Sequence, residues 1–240
     1  MMIAMATQQT ASRPPWKRTL TERTRPTPAV AAAVTMTVAA GLLAVAVTSS
    51  WNPFRSLDQG AADHLHAYAL AHPTWTRAMT DVSGIGTPNT FRAVVAALAI
   101  ALWFRGRRSL ALCAVGAMAV GAVVDTGVKD WVGRARPTFA QPVAYVPGPG
   151  YPSGHTLSAV VGCGVIVLVL LATRPSGFER PWIPWTVAAI VAGTIGFSRI
   201  ALGVHWVTDV VGGCLLAGAI LAATAALLRQ KDSDEGPVAE

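Results

Sequence analysis

His205 and Asp209 stand four residues apart, a spacing that puts two side chains on one face of a helix. A carboxylate so placed accepts the proton on one ring nitrogen and aims the other nitrogen at a substrate. This is the orienting logic of catalytic triads, applied to a histidine that is itself the nucleophile. Lys129, Arg136 and Arg199 supply three cations, which suits a dianionic phosphate, and the two guanidinium forks can hold its oxygens in bidentate fashion. Ser153 and Gly154 come just before an apolar run. Free backbone N–H groups and the positive end of a helix dipole favour an anion there, and a glycine lets the backbone approach it closely. His155 is left as the acid that protonates a leaving oxygen. Together these residues describe a site that handles an anion. On their own they leave catalysis and transport both open.

Such residues can meet only if the segments that carry them end on one face. Of the 240 residues, 52% are hydrophobic and 13% charged, where a soluble domain typically carries about 25% charged residues. The composition therefore predicts an integral membrane protein. No charge occurs between Arg25 and Arg55, longer than the roughly 20 residues that cross a hydrocarbon core, and an uncleaved first helix is expected at about 28–48. Further uncharged runs cover 93–104, 109–124, 156–173, 181–198 and 210–228. The run at 93–104 is short, so its helix must begin near Pro88 with Arg92 at an interface. The expected fold is an all-α membrane bundle of six helices. A disordered basic tail precedes it at 1–27, the six-span domain covers 28–229, and a second tail follows at 230–240.

The basic residues test the parity of that count. The N-terminal tail, Arg105 with Arg107 and Arg108, Arg174 with Arg180, and Arg229 with Lys231 hold twelve of the nineteen. They alternate as cytoplasmic segments should, which places both termini in the cytoplasm and segments 49–88, 125–155 and 199–209 outside. The net charge of +7 is thereby explained without a nucleic-acid partner. The end of span 3, the start of span 4, the end of span 5 and the start of span 6 then fall on the outer face, and every unusual polar group lies on them. Polar groups at such positions are costly and are functional candidates by default.

The first outer segment contains Asp58, Asp63, His64, His66, Tyr68, His72, Trp51 and Trp75. Short amphipathic helices lying at the interface are expected there, with Trp and Tyr as anchors. A His-x-His beside Asp63 is a possible metal ligand set, but its spacing suits no helix face well. Asp125 precedes Lys129 by four and is better read as its ion-pair partner. No metal and no cofactor are expected. Cys113, Cys163 and Cys214 all lie in apolar runs, which speaks against a disulfide framework or a metal cluster and for small packing residues.

At these positions the chain resembles the type 2 phosphatidic acid phosphatase superfamily, whose signatures are Lys-x6-Arg-Pro, Pro-Ser-Gly-His and Ser-Arg-x5-His-x3-Asp. They stand here as Lys129…Arg136-Pro137, Pro152-Ser153-Gly154-His155 and Ser198-Arg199…His205…Asp209. The resemblance implies that Lys129, Arg136, Ser153, Gly154 and Arg199 bind phosphate. It also implies that His205 attacks phosphorus, Asp209 orients it, and His155 serves as acid and then as base. A phosphohistidine intermediate, hydrolysed without a metal, follows from it, as does a lipid phosphate substrate at the plasma membrane. Soluble vanadium haloperoxidases share the anion site, but six spans speak against that branch.

The expected substrate is a polyprenyl pyrophosphate such as the undecaprenyl carrier, with phosphatidic acid and phosphatidylglycerophosphate as alternatives. Loop 138–151 contains no charge and suits an apolar chain, and Arg134 stands where it can meet a second phosphate or face the lipid headgroups. Transfer of the phosphoryl group to another acceptor is an alternative to hydrolysis. An anionic lipid transporter would call for internal repeats or broken spans near the midplane, and no repeat is found. The oligomeric state is not legible.

Overall fold

The computed structural model describes residues 27–49, 52–173 and 179–234. The basic tail before residue 27, Trp51, Arg174 and the last residues of the C-terminal tail lie outside them. Among the described residues the chain forms eight helices and no strand: α1 (Pro28–Thr48), α2 (Asn52–Ala71), α3 (Pro73–Ile85), α4 (Pro88–Phe104), α5 (Arg108–Val132), α6 (Gly154–Thr173), α7 (Trp182–Ala201) and α8 (Val207–Asp234). The all-α membrane architecture expected from composition is the one observed.

Local chemistry sets the helix boundaries. Pro28, Pro73 and Pro88 each open a helix, where a fixed φ is an advantage and the missing N–H costs nothing. Thr27 and Thr87 cap two of these, Thr87 Oγ1 accepting the Thr90 N–H at 3.1 Å. Gly133 ends α5 at φ +61°, its N–H bonded to the Lys129 carbonyl at 2.9 Å. Only glycine takes that conformation without a Cβ penalty, and the turn sends the chain from Lys129 towards Arg136.

Among the described residues, five helices are long and apolar enough to cross a membrane: α1, α5, α6, α7 and Val207–Gln230 of α8. The helix expected to begin near Pro88 is α4, 17 residues long, at the short end of what a span requires. It follows α3 across a bend of 40°, and the two together make a sixth span that is broken or re-entrant. The break falls at Thr87-Pro88, since a proline disfavours helical conformation in the residue before it.

α6 is the central helix. In its most apolar stretch 56% of residues are buried, against 17–28% in the other four long helices, and it packs on α4, α5, α7 and α8. Small residues allow this closeness: a Cβ at Gly164 would lie 2.3 Å from Leu221. α1 packs along α8. α2 and α3 do more than lie at an interface. They pack against α7, and α2 also against α8, so α2 and α3 cover the ends from which the polar motifs project.

Tyr151 ties α1 and α8 to the entry of α6. Its ring is fully buried beside Leu43 and Ala44, and its hydroxyl donates to the Ala40 carbonyl at 2.8 Å. The ring lies on Gly212 of α8, where a Cβ would fall 2.4–2.6 Å from it. Alanine favours a helix over glycine by about 1 kcal/mol, but displacing a packed ring costs about 1–3 kcal/mol. Gly212→Ala is therefore expected to lower both Tm in detergent and turnover, because Tyr151 directly precedes Pro152-Ser153-Gly154-His155. A Tm at or above that of the unaltered protein would show that the ring yields without cost.

Candidate active site

The three motifs converge on one end of the bundle. Lys129 lies in the last turn of α5, Gly154 and His155 open α6, Arg199 lies in the last turn of α7, and Asp209 lies in the first turn of α8. A cis Tyr151–Pro152 bond leads into the second motif. Backbone bonds join the motifs: the Ser153 N–H donates to the Asp209 carbonyl at 3.0 Å, and the Arg199 carbonyl accepts the His205 N–H at 3.2 Å. Ser198 is buried and donates to the Ile195 carbonyl at 2.7 Å, a bond internal to α7.

His205 and Asp209 pair, though not along a helix face. α8 begins only at Val207, and His205 occupies the turn before it. Asp209 reaches back from the first helical turn, its Oδ2 accepting the Trp206 N–H at 3.0 Å and facing His205 Nδ1 at 3.3 Å. This is half of a capping box, put to use in holding a ring. Arg136 donates an N–H to His205 Nε2 at 2.9 Å. A guanidinium has no lone pair and a carboxylate no proton, so the ring carries its proton on Nδ1 and its lone pair on Nε2. Burial pushes the His205 pKa down from 6.5 to about 4; Asp209 opposes this, and Arg136 and Arg199 reinforce it. The ring is a neutral base over the physiological range.

The cations differ in their partners. Lys129 Nζ pairs with Asp125, as the four-residue spacing implies. Both press on Gly154, where a Cβ would lie 2.9 Å from Nζ and 2.8 Å from the Asp125 carboxylate. A side chain at this position would make the flexible ends of both shift. Arg136 holds three carbonyls, those of Gly148 at 3.0 Å, Pro149 at 3.0 Å and Val204 at 2.7 Å. Burial lowers its pKa from 12.5, with Asp209 and Asp125 acting in the other direction, and it remains a cation. Arg199 is 5% exposed and bonds to Ser83 of α3, while its buried Nε has no partner among the described residues. A buried donor of that kind fits a phosphate oxygen. His155 is half-buried within electrostatic reach of Arg199, His205, Lys129 and Arg136. Pro137 lines a cleft of about 440 Å³ with Arg136, Phe139, Tyr145 and Gly203.

Arg134 does not face a second phosphate or the headgroups. It is locked between two carboxylates, donating to Asp209 Oδ1 at 2.5 Å, Thr208 Oγ1 at 2.7 Å and Asp58 Oδ2 at 2.7 Å. Among the described residues no three His, Cys, Asp or Glu side chains are grouped to hold a metal. In the segment read for ligands, Asp63 accepts from Gln59 at 2.9 Å and His66 stacks on Phe139 at 3.8 Å.

Residues 110–233 match the model of the PAP2 superfamily. The chain belongs to this superfamily. Phosphatidylglycerophosphatase B of Bacillus subtilis is 26% identical over 172 residues, 72% of this chain and 82% of that protein. Undecaprenyl-diphosphatase of Sulfolobus acidocaldarius is 31% identical over 123 residues, 49% of this chain and 55% of that one. A crystal structure of a transmembrane PAP2-type phosphatidylglycerolphosphate phosphatase from Bacillus subtilis aligns with a TM-score of 0.71, covering 82% of this chain and 96% of that one at 24% identity, and so shares the fold.

Around the PAP2 motifs the structure adds residues that the motifs do not contain. Asp58, Thr208 and Ser83 are all buried and bonded to motif residues or to Arg134. One signal for Asp58 was present in the sequence: it shares a helical stripe with Ala62, Leu65 and Ala69, where a carboxylate needs a buried partner. Nothing comparable marks Ser83.

The neutral Nδ1–H tautomer of His205 should persist down to about pH 4 in ¹⁵N-histidine spectra of the detergent-solubilised protein, its signal identified by loss in His205→Ala. A midpoint near the ordinary 6.5 would remove the burial argument. In turnover, His205→Ala should be inactive and Asp209→Asn sharply impaired with folding intact. More than about a tenth of activity in His205→Ala would be too much for loss of a covalent route.

Proposed function

We propose that this PAP2 protein is a membrane lipid phosphate phosphatase that works through a phosphohistidine on His205. The observation that carries this reading is the polarised ring: Nδ1–H faces Asp209, the Nε2 lone pair meets Arg136, and Arg199 lies within electrostatic reach. Nε2 attacks the terminal phosphorus and forms an N–P bond as the P–O bond to the lipid breaks, and the leaving oxygen takes a proton from His155. Neutral His155 then removes a proton from water, whose oxygen attacks phosphorus. The N–P bond breaks, inorganic phosphate leaves, and the lone pair returns to His205. Lys129, Arg136, Arg199, the Ser153 hydroxyl and the Gly154 N–H stabilise the phosphoryl oxygens, the Ser153 N–H being held by the Asp209 carbonyl. They supply the positive charge that a metal ion provides in other phosphatases, so catalysis is read as metal-independent.

The cradle reads a terminal phosphoryl group. Because Arg134 is committed to Asp58 and Asp209, the cation that the sequence offered to a second phosphate is engaged elsewhere. That favours a phosphomonoester of the phosphatidylglycerophosphate or phosphatidic acid kind, in line with the Bacillus relative's name. A polyprenyl pyrophosphate is the second reading, supported by the uncharged loop over the 440 Å³ cleft and by the name of the Sulfolobus relative. The deciding quantity is kcat/KM for each lipid in one detergent system containing EDTA, read as released phosphate. A tenfold or larger preference for the monoesters is expected. The reverse preference would reinstate the carrier lipid, and loss of activity restored by Mg²⁺ or Zn²⁺ would end the metal-free reading.

The membrane face follows from charge. Arg105, Arg107, Arg108, Arg180 and Arg229 belong to the helix ends opposite the site, which the positive-inside bias places in the cytoplasm. The site is then extracytoplasmic. A cysteine at Thr138 should react with impermeant maleimide in intact cells and one at Ser176 should not. The opposite labelling would put the chemistry in the cytoplasm.

A further inference from the structure

We propose that Asp58 and Arg134 are positioning residues of the reaction, with Asp58 acting through Arg134 to set how much of the Asp209 charge reaches His205. The inference rests on His205 being the nucleophile.

Asp58 belongs to α2, far in sequence from the motifs, and its side chain is 3% exposed. It accepts the Thr208 N–H at 3.0 Å on Oδ1, and on Oδ2 both the Thr208 hydroxyl and Arg134 Nη2, the latter at 2.7 Å. The other arm of the same guanidinium donates to Asp209 Oδ1. The ring of Trp206 lies 5.6 Å from the guanidinium carbon, and its Nε1–H is held by the Ala135 carbonyl at 2.8 Å. A planar fork fixed in this way bridges two carboxylates and has little freedom to leave either.

The consequence is electrostatic. If Arg134 faced Asp209 alone, it would hold that carboxylate's charge to itself. The contact from Asp209 to the ring is 3.3 Å, at the loose end for such a bond, so it is the contact most open to weakening. A second carboxylate shares the guanidinium and leaves Asp209 more negative towards Nδ1. Positive charge grows on the imidazole as Nε2 attacks, so the benefit is felt in the transition state and little in substrate binding. Arg134 is not among the cations whose donors remain for phosphate, since Asp58 and Asp209 take them.

The bland alternative is that Asp58 merely caps α8 through Thr208. Asp58→Asn separates the two, because the amide keeps an oxygen for the Thr208 N–H but loses the charge and the oxygen that accepts from Arg134. In purified full-length protein, assayed on whichever lipid has the highest kcat/KM, Asp58→Asn should lower kcat about tenfold. KM and vanadate inhibition should stay within about twofold and Tm should be retained. Arg134→Gln, which frees Asp209 from the competing cation, should escape that loss of kcat, and adding Asp58→Asn to it should have little further effect, since residues that act through one another are not additive. For Asp58→Asn, an unchanged kcat, a loss that falls on KM, an equal loss in the Arg134→Gln background, or failure to fold would each make Asp58 a packing residue and overturn the assignment. His205→Ala run alongside keeps the readings apart. Turnover surviving in it refutes the nucleophile, whereas a dead His205→Ala with a normal Asp58→Asn refutes only the relay.

Discussion

Asp209 carries its charge into a place with no measurable exposure, and a buried carboxylate persists only where donors meet its oxygens. One oxygen takes Arg134, the other takes the Trp206 N–H and the His205 ring, and the backbone carbonyl takes the Ser153 N–H. Each of these bonds brings in a different part of the chain. Arg134 arrives from the turn after α5, Ser153 from the entry to α6, and His205 from the turn between α7 and α8. The convergence of the motifs is thus the set of partners that one buried charge requires. Tyr151, packed beneath on Gly212, and α2, reaching over through Asp58, secure the same point from two sides.

The cations around that point fall into two kinds. Lys129 and Arg134 are matched by carboxylates, Asp125 in one case and Asp58 with Asp209 in the other. Arg136 and Arg199 bond only to carbonyls, a hydroxyl and a ring nitrogen. Carbonyls orient a guanidinium without neutralising it, so these two present full charge to a ligand while Lys129 presents a shared one. A phosphoryl group placed between them and the start of α6 meets pre-aimed donors in a site where reorganisation is small, the condition under which such donors contribute most.

Much of this was legible beforehand because it depends on residue type at short spacing. The cationic and histidine motifs declare themselves in runs of four to twelve residues, and the alternation of basic connections follows from an energetic bias that acts on each loop separately. What was not legible depends on pairings across the chain. Arg134 reads equally well as a free cation until Asp58, 76 positions away, is seen to hold it. The second span was expected to begin near Pro88, as α4 does, but hydropathy gave no sign that α3 would abut it at a bend of 40°. The His205–Asp209 pair was anticipated for the right separation and the wrong geometry, since four residues also span a capping turn.

Arg136 adds a constraint that connects binding to chemistry. Its N–H rests on the lone pair of Nε2, the electrons that in the proposed reaction must reach phosphorus. Attack therefore requires that this N–H find another acceptor. A phosphate oxygen is a better one, because a hydrogen bond between two ions is roughly twice as strong as one with a neutral partner, and Arg136 keeps its three carbonyls while one N–H changes hands. Arrival of the dianion thus uncovers the nucleophile at the moment the electrophile is in place. A neutral lipid in the same cleft offers no such exchange and leaves the lone pair covered. Discrimination for phosphorylated lipids then acts on the reactive atom itself as well as on affinity, which is where binding energy is most effective for rate.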